Sequence, residues 1–124
     1  MKVLVCGAGI QGSFLAATLH RAGVHTALLA RGKRLDDIRE NGIRLSFYPS
    51  HKIPVTHLPV ISDIAERAPY EVILVTMQKQ QAIAISPTVG KYAENAAVAY
   101  LGNNGTGVAD YREFIPPSQI VLAS

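Results

Sequence analysis

The sequence predicts one α/β domain built on a mostly parallel sheet. Short apolar runs alternate with helical segments, which is typical of parallel strands joined by crossover helices. The first apolar run leads into the glycine-rich stretch Gly7–Gly12, which opens the first helix. A second run, Glu71–Thr76, is β-branched and almost continuously apolar, as expected of a strand buried on both faces. We therefore predict a three-layer, doubly wound sheet of Rossmann type with an edge hairpin.

The first half of the chain is predicted to hold two strand–helix units and the edge hairpin. Gly42 ends the second helix as its C-cap. Ile43–Phe47 then alternates apolar and polar residues, as a half-buried strand does. The extended segment Lys52–Ile61 carries Pro54 and Pro59, which exclude it from the centre of a sheet and favour an edge hairpin. The elements before the hairpin are predicted as strand Val3–Cys6, helix Ser13–Arg21, strand His25–Ala30 and helix Lys33–Asn41.

The second half continues the alternation. Asp63 is predicted to cap a short helix, and Pro87 to bend or restart a longer one. Pro116 and Pro117 then separate a short helix from the last strand. The predicted elements are helix Ile64–Ala68, strand Glu71–Thr76, helix Gln80–Tyr92, strand Ala96–Leu101, helix Val108–Phe114 and strand Gln119–Ala123.

The composition is that of a folded domain with a mild basic balance. The 124 residues are 48% hydrophobic and carry a net charge of +3, which suits a small anionic ligand. Nucleic acid would need a denser basic stripe, and no apolar run reaches the length of a membrane span. Cys6 is the only cysteine, so an internal disulfide is excluded and a cytoplasmic location is expected. At the end of a buried strand, Cys6 is expected to act as a small apolar residue.

The motif Gly7-Ala8-Gly9-Ile10-Gln11-Gly12 predicts a dinucleotide site because it lies between a strand and a helix. The first glycine permits a tight turn, and the second lets the backbone approach a pyrophosphate. Gly12 allows close packing of the helix on the strand, and the helix N-terminus attracts phosphate. The alternative is a glycine-rich turn in another kind of α/β protein.

A basic residue follows the second strand and favours NADP over NAD. NAD sites usually place Asp or Glu about 20 residues beyond the glycine motif, but here the strand leads into Arg31, with Lys33 and Arg34 behind it. The first carboxylate after the strand is Asp36. The Arg31 guanidinium could pair with a 2′-phosphate. The alternative is an ordinary solvated basic loop.

Two further loops follow predicted strands and would reach the same edge of the sheet. The first contains Met77, Gln78 and Lys79, and Lys79 could contact a phosphate, a ribose or a substrate carboxylate. Its alternative is a solvated lysine that begins a helix. The second, Gly102–Gly107, holds Asn104, whose amide can donate to and accept from a ribose or substrate oxygen. Its alternative is an Asn-Gly turn that leads into a Thr-capped helix.

Other site chemistries find little support. The paired acids Asp36 and Asp37 resemble a solvated helix face, and no Ser-His-Asp or Cys-His arrangement can be assembled. The histidines show no metal-ligand spacing, so no metal is predicted. They are His20, His25, His51 and His57.

Together these residues resemble the ketopantoate reductase (2-dehydropantoate 2-reductase) family over essentially the whole chain, aligned to its N-terminal NADP-binding domain. The resemblance implies NADPH-dependent reduction of ketopantoate to D-pantoate, a step of pantothenate and coenzyme A synthesis. It implies that Arg31 contacts the 2′-phosphate and that Asn104 lies near nicotinamide and substrate. The matching segments are GAGIQG at Gly7–Gly12, LLAR ending at Arg31, NGIRL at Asn41–Leu45, VILVTM at Val72–Met77 and NNGTG at Asn103–Gly107.

The chain also departs from the family pattern. Gln78 occupies the place where the family usually carries lysine, with Lys79 one residue later, and Gln11 is polar where the family often has an apolar residue. The resemblance also implies a helical C-terminal domain that supplies the catalytic lysine, and we expect this domain to be missing from the chain, which ends at Ser124. We expect the isolated chain, one domain over residues 1–124, to bind NADPH without appreciable reductase activity. Surface left without that domain is expected to favour self-association.

Two other functions remain open at this point. A stand-alone NADP-binding module could act as a sensor or scaffold without catalysis, and the sequence beyond Ser124 would separate this from a reductase. A methyltransferase could use the glycine-rich loop for S-adenosylmethionine. Arg31 counts against the methyltransferase, since an acid usually holds the ribose hydroxyls at that place. The identity of the 2-keto acid is not given by the sequence.

Overall fold

The computed structural model describes residues 1–44, 55–101 and 107–123, with 13 helices and strands besides a short 3-10 turn at Pro117–Gln119. Three of these elements are α-helices: α1 (Ile10–Arg21), α2 (Gly32–Asn41) and α3 (Lys79–Tyr92). Two are 3-10 helices, Ile64–Arg67 and Gly107–Asp110. The strands are β1 (Lys2–Cys6), β2 (His25–Leu29), β3 (Ile43–Arg44), β4 (Val55–Thr56), β5 (Val60–Ile61), β6 (Val72–Val75), β7 (Ala97–Leu101) and β8 (Ile120–Ala123).

The main sheet has six strands in the order β5-β2-β1-β6-β7-β8, and every pairing in it is parallel. Counted along the chain, this is the strand order 3-2-1-4-5-6 of a doubly wound dinucleotide-binding sheet. The order reverses between β1 and β6, which lie side by side at the centre. Such a switch point opens a crevice at the carboxyl ends of the strands, which here lies beside Cys6 and Val75.

Apolar side chains cover both faces of the sheet, which confirms the three-layer prediction. Along β1, alternate residues point to opposite faces. Val3 and Val5 pack in a cluster that includes Ile38 of α2. Leu4 and Cys6 belong to a second cluster that packs against α3. The helices α1 and α2 thus cover one face of the sheet and α3 covers the other.

The predicted hairpin is confirmed as a small antiparallel sheet, but part of the predicted segment joins the main sheet instead. Val55–Thr56 pairs antiparallel with Ile43–Arg44 in a small sheet of its own. Val60–Ile61 instead joins the main sheet as an edge strand parallel to β2, and the Leu28 amide donates to the Pro59 carbonyl. Proline has no N–H to donate, but its carbonyl can still accept a hydrogen bond. It is therefore tolerated beside an edge strand. Residues 45–54, which hold the rest of the predicted hairpin, lie outside the described residues.

Two helix predictions are wrong in detail. The helix α3 runs through Pro87 without a break and begins at Lys79. The predicted helix Val108–Phe114 is a 3-10 turn over Gly107–Asp110, followed by turns that end with the Ile115 amide on the Tyr111 carbonyl. This segment belongs to the crossover between β7 and β8, which are parallel neighbours, and in its described part the crossover is made of 3-10 helices and turns.

Smaller differences concern where helices begin. The helix α1 begins at Ile10, three residues before the predicted start, because the glycine motif itself supplies the N-cap at Gly9. The predicted cap at Asp63 is confirmed: its side chain accepts from the Ala65 amide at 3.0 Å, while Glu66 accepts from the Asp63 amide at 2.9 Å. This reciprocal arrangement is a capping box.

Candidate functional site

The glycine-rich loop is packed tightly against the end of β6. Gly7 has a φ of 109°, a left-handed conformation that favours glycine. A side chain at Gly12 would overlap the Gly7 carbonyl oxygen and lie 2.6 Å from Thr76 Oγ1. The first and third glycines are therefore required by the protein's own packing, as the motif predicts.

Gly9 is different, because the protein leaves open space beside it. A Cβ built on Gly9 would meet no protein atom within 4 Å, and its φ of −71° is one that any residue adopts. Neither backbone strain nor packing therefore explains a glycine at this position. The open space lies at the N-terminus of α1, where amide donors and the helix dipole favour an anion. The loop thus fits the approach of a pyrophosphate to its backbone.

Thr76 joins the two central strands at the switch point. Its amide and its hydroxyl both donate to the Cys6 carbonyl, each at 3.0 Å, and the hydroxyl also lies 3.2 Å from the Gly7 carbonyl. This hydroxyl fixes the end of β6 against the start of the glycine-rich loop. This role of Thr76 was not predicted from the sequence. A polar residue directly after a continuously apolar strand is the signal that could have identified it.

Arg31 lies two residues beyond the end of β2. It is the N-cap residue of α2, directly after the strand that borders β1, and its side chain is exposed. In the ranges that the structure describes, its guanidinium has no hydrogen-bond partner. The cation that contacts the glycine-rich loop is instead Arg34, whose Nε donates to the Ala8 carbonyl at 2.9 Å.

A cleft of about 330 Å³ lies at the carboxyl ends of β6 and β7. Three of the predicted site residues that follow β6 line it, together with Gln11 from the glycine-rich loop. The structure therefore brings two of the predicted loops together. The lining residues are Gln11, Val75, Thr76, Met77, Gln78, Lys79, Ala82, Tyr100, Leu101 and Tyr111.

Lys79 is held within this cleft by a carboxylate. Its Nζ lies 3.0 Å from Asp110 Oδ2, and the two side chains are only 35% and 26% exposed. Gln78, which precedes it, is exposed and is the N-cap residue of α3. The ion pair joins the start of α3 to the 3-10 helix after β7. It orients the lysine, and no sequence pattern indicates that Asp110 is its partner.

Two stacked tyrosines form the floor of the cleft. The rings of Tyr100 and Tyr111 are 3.6 Å apart and nearly parallel. The Tyr100 hydroxyl lies 2.8 Å from Ser86 Oγ, which itself donates to the Ala82 carbonyl at 2.7 Å. Burial raises the pKa of Tyr100 to about 12, although the bond to Ser86 acts in the opposite direction. Tyr100 is therefore a neutral, buried group that supports the cleft wall.

This buried phenol makes the stability of the protein depend on pH in the alkaline range. The unfolded chain releases the Tyr100 proton near its ordinary pKa of 10.0, whereas the folded chain keeps it up to about 12. The stabilisation that comes from keeping Tyr100 protonated is therefore complete below pH 10 and is lost as the pH rises toward 12. We expect urea unfolding free energies of Tyr100→Phe to fall less between about pH 9 and about pH 11 than those of the wild type. An equal fall in both proteins would contradict this assignment.

The remaining predictions for the site concern Asn104, Ile10, Cys6 and metal binding. Asn104 lies outside the described residues, so its role stays a prediction. Ile10 is described and is 87% exposed at the start of α1. Cys6 is fully buried, and burial raises its pKa to about 12, which agrees with an apolar and unreactive role. Among the described residues, no group of His, Cys, Asp and Glu is arranged to hold a metal ion.

A family model described as ketopantoate reductase PanE/ApbA matches residues 3–124. The chain belongs to this family. The family assignment, made from five short motifs, is thus confirmed, and it agrees with the strand order and the glycine-rich loop. No curated protein matches this sequence. In the described ranges, no helix has both the length and the apolar character needed to cross a membrane.

Solved structures share the fold of this ketopantoate reductase family chain. One is a protein from Enterococcus faecalis provisionally assigned as a 2-dehydropantoate 2-reductase, with a TM-score of 0.84 and 24% identity. A second is D-mandelate dehydrogenase in a ternary structure with NADH and anilino(oxo)acetate, also with a TM-score of 0.84 and 24% identity. Each comparison covers 98% of this chain but only 40% of the other.

A third structure is 2-dehydropantoate 2-reductase from Porphyromonas gingivalis W83, with a TM-score of 0.79 and 23% identity over 97% of this chain and 44% of the other. The chain thus spans less than half the length of the structures it resembles. The three likenesses establish its fold. Since one of these proteins is a mandelate dehydrogenase, the fold is shared by enzymes with different substrates.

Proposed function

We propose that this chain is the cofactor-binding domain of an NADPH-dependent 2-keto acid reductase. The observation that carries the proposal is the glycine-rich loop at the switch point. Gly7 and Gly12 are required there by packing, whereas Gly9 faces open space at a helix N-terminus. A pyrophosphate that approaches the backbone accounts for Gly9, the one glycine of the motif that packing and backbone strain leave unexplained.

The choice of NADPH rests on Arg31. Its exposed guanidinium lies beyond the end of β2, where NAD-dependent proteins usually place an acid. A planar guanidinium can donate two parallel hydrogen bonds to a phosphate, which a ribose hydroxyl does not match. The proposed division of roles is that the backbone of Gly9–Gly12 holds the pyrophosphate and Arg31 holds the 2′-phosphate. Ile10, Gln11, Met77, Gln78 and Lys79 would contact the rest of the cofactor.

The proposed substrate is ketopantoate, which the enzyme would reduce to D-pantoate in pantothenate synthesis in the cytoplasm. The bound nicotinamide would supply the hydride. The Lys79 ammonium, oriented by Asp110, would offer a positive group to a phosphate or carboxylate in the cleft. Asn104 is proposed to contact the nicotinamide or the substrate, and no catalytic residue is assigned to this chain. We propose that the isolated chain binds NADPH but does not reduce ketopantoate.

Assays of the complete protein and of this chain alone test the reductase assignment. We expect the complete protein to oxidise NADPH when ketopantoate is added, and the chain alone to bind NADPH without turnover. A complete protein that binds NADPH but reduces no 2-keto acid would favour the stand-alone sensing or scaffold module. Sedimentation of the chain at high concentration tests the expected self-association, which a strictly monomeric species would contradict.

Replacing Arg31 with alanine tests the cofactor preference. We expect Arg31→Ala to weaken NADPH binding by about 1.5–3 kcal/mol, the range for a hydrogen bond to a charged group, and to leave NADH binding nearly unchanged. Fluorescence titration of both cofactors measures the two effects. Lys91→Ala is a suitable control, since it removes one positive charge from the last turn of α3. Equal affinities of the wild type for NADPH and NADH would contradict the role of Arg31.

A further inference from the structure

The Arg34 side chain crosses from α2 to the glycine-rich loop. Its Nε donates to the Ala8 carbonyl at 2.9 Å, and its Nη2 donates to Ser13 Oγ at 2.9 Å. Its Nη1 lies 3.2 Å from Asp37 Oδ2. The Ser13 hydroxyl also donates to the Ala8 carbonyl, at 3.1 Å. The Ala8 carbonyl therefore accepts two hydrogen bonds, one from Arg34 of α2 and one from Ser13 of α1.

These bonds fix the direction of the peptide unit between Ala8 and Gly9. A peptide bond is planar, and in its trans form the carbonyl and the following N–H point in opposite directions. The Ala8–Gly9 bond is trans. With its carbonyl held by Arg34 and Ser13, the unit must direct the Gly9 N–H away from these side chains. Of the three glycines in the motif, Gly9 is the one beside which the protein leaves open space.

We propose that Arg34 is a positioning residue that orients the Gly9 amide toward the pyrophosphate of the bound cofactor. This inference rests on the proposed dinucleotide site and adds to it a side chain that holds the loop in its binding conformation. All three guanidinium nitrogens of Arg34 already donate hydrogen bonds within the protein. Arg34 therefore holds the loop in place, whereas Arg31 binds the 2′-phosphate. Its role requires the planar fork of a guanidinium, which lysine does not provide.

The proposal makes a prediction about cofactor affinity that separates Arg34 from Arg31. The pyrophosphate is common to both cofactors, so Arg34→Ala and Arg34→Lys should each weaken NADPH and NADH by the same factor, about tenfold or more. Arg39→Ala is the matched control. Arg39 lies on the same helix and donates to a backbone carbonyl, that of Val60 at 3.2 Å, but not in the glycine-rich loop. We expect this control to bind both cofactors as the wild type does.

A nuclear magnetic resonance measurement on the ligand-free protein tests the positioning directly. The Gly9 amide resonance should shift in Arg34→Lys and stay in place in Arg39→Ala, while the thermal midpoints show that both variants are folded. Normal cofactor binding by Arg34→Lys would overturn the proposal, because positive charge alone would then suffice. A loss confined to NADPH would also overturn it, since Arg34 would then be a ligand of the 2′-phosphate.

The same experiments distinguish this inference from the proposed function. If the wild type binds neither NADPH nor NADH, the proposed function fails. The Gly9 resonance of the ligand-free variants still decides whether Arg34 orients the loop. An unshifted resonance in both Arg34 variants would refute the positioning role even if the wild type binds NADPH.

Discussion

Replacing Gly9 with alanine is expected to abolish tight dinucleotide binding while leaving the fold intact. The added methyl group would meet no protein atom within 4 Å, so no packing is disturbed. It would occupy the space through which a pyrophosphate approaches the backbone. Because Gly9 is the N-cap residue of α1, the expected stability change is within about 1 kcal/mol. Calorimetric titration with NADPH and urea unfolding measure the two effects separately.

The Gly9→Ala variant is informative because it should lose NADPH binding while its unfolding free energy stays nearly unchanged. A Gly9→Ala protein that binds NADPH as tightly as the wild type would show that the open space at Gly9 does not receive the cofactor. A protein that fails to fold would show that the space is needed by the chain itself. Either result would remove the main support for the proposed site.

The same substitution three residues later, Gly12→Ala, is expected to destabilise the fold. In Gly12→Ala, the new methyl group would overlap the Gly7 carbonyl and crowd Thr76 Oγ1. Overpacking of this kind costs about 1–3 kcal/mol, because α1 must move away from the end of β6. Alanine favours a helix interior by up to about 1 kcal/mol over glycine. A net loss of stability therefore understates the steric cost.

Thermal and urea unfolding of Gly12→Ala beside Gly9→Ala provide the comparison. The two variants carry the same change in one loop, so the difference between them isolates the packing at each position. A Gly12→Ala protein more stable than the wild type would mean that helix propensity dominates. In that case the close approach of α1 to the loop would not be a constraint on the sequence.

The central part of the fold could be predicted because its signals are local. The runs that form β1, β2, β6 and β7 are short and mostly apolar, and the glycine motif places the first helix directly after β1. The edge of the sheet was harder to predict. Two-residue strands such as Val60–Ile61 carry too little pattern to reveal whether they pair with a neighbour in sequence or with β2.

The site shows the same contrast between local and long-range information. The roles of Gly7 and Gly12 follow from spacing within one motif. The partners of Arg34 and Lys79 lie 26 and 31 residues away along the chain, at Ala8 and Asp110. No sequence pattern links such pairs, because only the folded sheet brings the ends of its strands together. The stacking of Tyr100 on Tyr111 was missed for the same reason.

The most direct test of the account is to map NADPH onto the chain by its backbone amide resonances. We predict that NADPH shifts the amides of Gly9–Gly12, Arg31 and Met77–Lys79 at the carboxyl ends of the strands. A second cleft, of about 340 Å³, lies at the opposite ends of β1 and β2 and includes Lys2 and His25. Shifts confined to that cleft, or no shifts at saturating NADPH, would contradict the account.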